Sequence, residues 1–253
     1  VNAPCHPQRL YTRYFLGDFD GQTFRRDPSI PALTPEFGPN YAEVTYNGIP
    51  EADGRRILLG WIRQTPDEAR AWTGLQCIPR VLTLRSTPNG PHVCQAPVAE
   101  LRTLRRKQIA LPPETVAGDG PGLAGRGAQT SELEIQAEFE PGTARECGFR
   151  LQLAARQGPP AEMTIGYAAD AGELFIQAPD QERAARPLTP ADKTVTLHLF
   201  IDRGVVEVFG GAGEATLTAL LEPTPICADV RPFAAGGAAG LVALAAWELA
   251  ATW

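Results

Sequence analysis

Asp18 and Asp20 stand two residues apart on one short apolar segment and are the first carboxylates to weigh as an acid pair. Positions i and i+2 share a strand face, so the two could act together on a proton. Gly21 follows at once, and the plainer reading is that these aspartates shape a turn. Two further short motifs hold a carboxylate, Arg26-Asp27-Pro28 and Glu146-Cys147. Matches this short carry little information, and both are read as loop features. Glu207 interrupts the apolar run Val205, Val206, Val208, Phe209. Strand alternation sets it on the face opposite its neighbours, which suits a structural or solvated role. The chain has five cysteines and three histidines, with no CxxC. Cys5-His6 is isolated, so no structural zinc is expected, and the cysteines read as buried free thiols. No Ser/His/Asp arrangement or nucleotide fingerprint is present. The glycine-rich stretch 117–127 lacks the strand and helix that a phosphate-cradling loop needs. No cofactor is expected.

The elements that must position these residues are strands. Leu133, Ile135, Ala137 and Phe139 alternate with Glu132, Glu134, Gln136 and Glu138. The same period recurs in Phe149, Leu151, Leu153 and in Val195, Leu197, Leu199, Ile201, after which Asp202-Arg203-Gly204 supplies a turn. Strands that bury one face and wet the other, repeated at short spacing, predict a β-sandwich over 130–253. Short strands are also expected near 14–17, 42–46, 57–62 and 81–84, with hairpin signals at Asp20-Gly21 and Asn89-Gly90. Small repeated sheets of this kind suit propeller blades. Between the zones, Pro112, Pro113 and Gly118, Gly120, Gly122, Gly125, Gly127 predict a linker over 109–129. Helical spacing occurs only at 97–107, enough for about two turns. The fold class expected is all-β.

At 253 residues the chain can bury a full core, and its net charge of −6 offers no basic field for phosphate backbones, so nucleic acid is excluded as a partner. The apolar run 240–247 is too short to span a bilayer, so no membrane partner is expected. No basic-then-apolar opening suggests a signal peptide. There is no initiating Met, and residue 1 is not taken as a natural start.

Three ordered motifs dominate the first half: Gly60-Trp61 at the end of an apolar strand, Trp72-Thr73-Gly74-Leu75-Gln76-Cys77-Ile78-Pro79-Arg80, and Gln95-Ala96-Pro97-Val98-Ala99-Glu100-Leu101. To these add Phe19-Asp20-Gly21, Glu36-Phe37-Gly38-Pro39-Asn40-Tyr41-Ala42, the stretch 197–209, and Trp247-Glu248-Leu249 near Trp253. In this order they resemble the second half of a family-32 glycoside hydrolase, the group of invertases, levanases and inulinases. The resemblance covers nearly the whole chain.

It implies the last blades of a five-bladed propeller over 1–108, followed by the sandwich. It assigns Asn40, Tyr41 and Trp61 to the wall of a fructosyl subsite, where an indole face suits the C–H surface of a sugar. The alternative reading of Tyr41 and Trp61 is that they fill blade cores. Arg80 is read as a guanidinium fixing backbone carbonyls between blades. At the segment where the family has Asp-x-Gly-x-Asp, this chain has Glu36 and Asn40 and is one residue shorter. The family's nucleophile motif, Asn-Asp-Pro-Asn, has no counterpart. Arg26-Asp27-Pro28 and Glu146-Cys147 fall in the wrong places to supply its other acids, so no catalytic residue is assigned.

Three readings follow: a portion of a β-fructosidase, a non-catalytic carbohydrate-binding or scaffold module, or a hydrolase that recruited Asp18, Asp20 or Glu36. The expected ligand is a fructose-containing carbohydrate. The expected protein partner is a missing N-terminal half or a second copy in a homodimer.

Overall fold

The computed structural model describes residues 12–36, 38–64, 73–154, 160–221 and 226–251. Its first part opens with a hairpin of β1 (Gly17–Phe19) and β2 (Phe24–Arg26), which pair Phe19 opposite Phe24. The Asp20 carboxylate holds the turn by accepting from the backbone N–H groups of Gln22 and Thr23, at 2.9 and 2.7 Å. This is the turn-shaping role that the sequence suggests.

A five-stranded sheet follows: β3 (Asn40–Thr45), β4 (Arg56–Ile62), β5 (Leu75–Gln76), β6 (Arg80–Thr87) and β7 (Gly90–Pro97). Its order is β3-β4-β6-β7, with β5 beside β4. The β6–β7 hairpin turns at Asn89-Gly90, as expected, and keeps register from Arg80↔Pro97 to Thr87↔Gly90.

The second part is the sandwich: β8 (Arg105–Leu111), β9 (Glu114–Asp119), β10 (Glu132–Glu140), β11 (Glu146–Ala154), β12 (Ala161–Ala168), β13 (Glu173–Gln177), β14 (Ala184–Pro187), β15 (Val195–Asp202), β16 (Val205–Gly210), β17 (Ala215–Leu220) and β18 (Ile226–Leu249). All are joined in one antiparallel sheet that folds on itself. The 24-residue β18 carries the fold: it pairs with β11 along its first half, with β9 across its middle, and with β10 and β8 along its second half. The predicted period-two residues form the core; Leu133, Ile135, Phe139, Phe149, Leu151, Leu199 and Ile201 are all fully buried. Each such side chain contributes about 1.5–3 kcal/mol of hydrophobic stabilisation.

Two expectations need correction. Segment 109–129 is not a linker. β8 and β9 are ladders on β18, and Ile109, Leu111, Val116 and Leu123 belong to the sandwich core. Its prolines and glycines serve turns between short strands, and their density hides the alternation of the apolar residues. The helical spacing at 97–107 yields only a 3-10 segment, Ala99–Leu104, with no side-chain cap and no buried residue. The chain then turns extended at Arg105, where pairing with β18 satisfies its backbone.

The two parts meet closely. All six residues of β16 and all six of β17 are buried, which requires cover on both faces. Val206, Val208, Ala215 and Leu217 face the sandwich core, while Val205 and Leu220 pack outward against Ile62 and Cys77. The backbones also touch. Gln95 N–H donates to the Gly213 carbonyl at 2.9 Å, and a Cβ on Gly213 would lie 1.9 Å from the Gln95 carbonyl oxygen. Only glycine fits there.

Candidate functional site

β3 and β4 pair Tyr41 directly with Trp61. Their ring centroids lie 6.3 Å apart at 55°, and they are 37% and 40% exposed, so neither ring fills a blade core. The Arg63 guanidinium stands 5.9 Å from the Tyr41 ring centre. One edge of the indole rests on Gly74, where a Cβ would come within 1.8 Å of Nε1. The result is an aromatic surface with one apolar side open to solvent, the form that stacks on a sugar ring.

Asn40 precedes Tyr41 but lies behind this surface, 5% exposed. Its Nδ2 donates to the Glu36 carboxylate and, at 3.3 Å, to the Thr218 hydroxyl. The centre of the network is Arg80, which is fully buried. Its Nη1 donates to Glu36 Oε2 at 2.6 Å and Gln95 Oε1 at 3.0 Å; its Nη2 donates to the Glu207 carboxylate and to Thr218 Oγ1 at 3.1 Å. Glu207 also accepts from Ile78 N–H at 2.9 Å. Arg80 therefore does not hold backbone carbonyls, as its position after Pro79 suggests. It bonds side chains and ties the blade to the sandwich.

Charge in this cluster is tightly set. Burial works against the Arg80 guanidinium, but Glu36 and Glu207 outweigh it and keep it charged. Burial pushes Glu207 above the usual carboxylate range, and Arg80 partly restrains it. Glu43, whose carboxylate oxygens are also buried, is pushed up to about 7 by burial and then by the charge of Glu36. Cys77 accepts from Gly60 N–H at 3.0 Å, and burial raises its thiol to about 12, so it is no nucleophile.

The other candidates stay apart. Asp18 lies in the fully exposed β1. Asp27 is half-buried and binds Ser29 locally. Glu146 starts β11 rather than sitting in a loop, and it pairs with Arg183 at 2.8 Å. Cys77, Cys94, Cys147 and Cys227 are buried and free, as the sequence suggests. Cys5, His6, Phe37, Trp72 and Trp253 lie outside the described residues. Among the described residues no group of three or more His, Cys, Asp or Glu could hold a metal ion. No helix there is long and apolar enough to cross a membrane.

Sequence reasoning missed the Arg80 network. Its one signal was Glu207 amid valines on a strand otherwise apolar on both faces, since a buried acid needs a partner.

The models for the N-terminal and the C-terminal domain of glycosyl hydrolases family 32 match residues 3–97 and 100–248. The chain is 29% identical over 259 residues to a levanase of Bacillus subtilis (strain 168), which covers 95% of this chain and 38% of the levanase. Its fold is similar to the exo-inulinase of Aspergillus awamori, with a TM-score of 0.79 at 24% identity, covering 96% of this chain and 50% of that one. A variant of fructan 1-exohydrolase IIa from Cichorium intybus, solved in complex with 1-kestose, matches with a TM-score of 0.65 at 19% identity over 86% of this chain and 49% of that one. The chain thus spans half or less of the length of these relatives.

Proposed function

Because this chain belongs to glycosyl hydrolase family 32, we propose that it is the part of a β-fructosidase that supplies one wall of the sugar site and the sandwich behind it. The reaction of the whole enzyme is hydrolysis of fructosyl bonds in sucrose or fructans. Tyr41 and Trp61 take the apolar face of a fructosyl unit, and Asn40 acts from behind them. The observation that carries this reading is the solvent-open Tyr41–Trp61 pair in a chain of this family.

The chemistry comes from elsewhere in the enzyme. Retaining glycosidases place two carboxylates about 5–5.5 Å apart beside an open sugar site. Among the described residues, the acids buried together are Glu36, Glu43 and Glu207, with their carboxylates closed off around Arg80, while the exposed Asp53 and Glu100 are both taken up by Arg55. The same fact favours a second reading, a module that binds fructose-containing carbohydrate without cleaving it.

Binding of 1-kestose to the chain, measured by calorimetry, tests the sugar wall. Trp61→Ala is expected to weaken it by about 1 kcal/mol. Unchanged affinity in a folded Trp61→Ala variant would put the site elsewhere.

A further inference from the structure

Among the described residues, a hydroxyl of the sandwich bonds directly to the start of the strand that carries Tyr41. Thr218 on β17 donates to Glu36 Oε2 at 3.0 Å and accepts from Asn40 Nδ2 at 3.3 Å and from Arg80 Nη2 at 3.1 Å. A hydroxyl has one proton to give and two lone pairs to offer, so its capacity is fully used. The backbone leading into β3 is pressed against the same residue: a Cβ on Gly38 would lie 2.5 Å from the Thr218 carbonyl oxygen. Just past Tyr41 the chain is under constraint. Ala42 has φ 50°, a left-handed conformation rare outside glycine, and the pairing of β3 with β4 slips between Tyr41 and Val44. A conformation of this kind is strained and persists only where its surroundings fix it. On one side stands the pairing of Val44 with Leu59; on the other stands Asn40, held by Glu36 and Thr218.

We propose that Thr218, with Glu207 behind Arg80, is a positioning residue for the Tyr41–Trp61 surface, so that the sandwich domain sets the geometry of the sugar wall it never touches. The proposal rests on the reading of that surface as a fructosyl wall. In this arrangement Thr218 fixes Asn40, Asn40 fixes the start of the kink at Ala42, and the kink aims the Tyr41 ring at Trp61. Glu207 acts one step further back, by holding the guanidinium that shares Glu36 with Asn40.

The full 253-residue chain allows a direct test with Thr218→Val, which removes all three hydrogen bonds, and Thr218→Ser, which keeps the hydroxyl. Two quantities are read: affinity for 1-kestose, and the part of the near-ultraviolet circular dichroism that disappears in Trp61→Phe. Thr218→Val should weaken 1-kestose binding roughly fivefold and alter the Trp61-dependent signal, and Thr218→Ser should restore both. A Thr218→Val protein that melts earlier but keeps both affinity and signal would reduce Thr218 to a stability role and overturn the proposal. Should the unsubstituted chain bind no 1-kestose, the sugar reading fails; an altered signal in Thr218→Val, recovered in Thr218→Ser, would still establish the positioning. If Thr218→Val does not fold, Glu207→Gln takes its place, and an unchanged signal in that variant counts against the proposal.

Discussion

Arg80 in the blade and Glu207 in the sandwich are ion-paired across the junction of the two parts, with side chains 0% and 4% exposed. Desolvating two charges is costly, and here further bonds from Glu36, Gln95, Thr218 and Ile78 offset the cost. The pair ties blade to sandwich but is not in itself a source of net stability, because a well-packed apolar pair could do as well.

Breaking the pair from one side should therefore be severe. Arg80→Ala leaves two buried carboxylates without their cation and is expected to cost about 3–5 kcal/mol in urea unfolding. A loss under about 1 kcal/mol would show that the cluster is hydrated in solution and not closed.

Stability should fall on both sides of a mildly acidic optimum. Burial raises Glu134, but Arg105 and His198 outweigh it and hold its carboxyl near 2, below the ordinary 4.5. A depressed acid stabilises the fold above its unfolded value, and that contribution is lost as pH falls from about 4.5 toward 2. Glu43 runs the other way. Its carboxyl sits near 7, so the folded state holds a proton that the unfolded chain releases, and stability is lost as pH rises from about 4.5 to 7. Glu43→Gln should flatten the second slope and Glu134→Gln the first, in melting temperatures taken from pH 2 to pH 8. Parallel profiles for Glu43→Gln and the parent chain would refute the assignment.

The chain by itself is expected to release negligible fructose from sucrose, inulin or levan. If the nucleophile and acid/base come from the rest of the enzyme, as proposed, the chain forgoes two contributions each worth orders of magnitude in rate. Turnover by the purified chain near that of ordinary family members would count decisively against this.

Limited proteolysis should spare residues 118–127. Gly120 and Leu123 N–H groups donate to Pro232 and Val230 carbonyls at 2.8 and 2.9 Å, Ala124 N–H donates to Asp229, and Leu123 is fully buried. Trypsin should act earlier at Arg25 or Arg26, in a hairpin whose six strand residues are all exposed. Early cleavage after Arg126, ahead of that hairpin, would contradict the placement of this segment in the sandwich.

The first part also presents Phe15, Phe19, Phe24, Val44 and Tyr46 to solvent. Apolar surface of this extent beside an edge strand invites a partner. If these 253 residues are the whole native protein, light scattering at micromolar concentration should report a dimer. A clean monomer mass would rule that out.

By itself the sequence determined the class of fold and the family. Alternation is a local property, so Leu133, Ile135, Ala137 and Phe139 announce a one-sided strand without reference to anything distant. The hairpins at Asp20-Gly21 and Asn89-Gly90 are equally local. The aromatic character of Tyr41 and Trp61 could be read, and their placement on a sugar wall could be expected from the resemblance. Their pairing at 6.3 Å, however, depends on the register of β3 with β4. Tertiary structure alone decided the rest. Segment 109–129 looks like a linker until β18 passes beside it, and no local pattern encodes a ladder to a strand more than a hundred residues away. Arg80 and Glu207 are likewise 127 positions apart, and Glu36 and Thr218 are 182 apart. Each alone is a polar residue of the kind that normally faces water. Only the packing of β16 and β17 against the blade removes that water and obliges the four to satisfy one another, and that packing is a property of the assembled core.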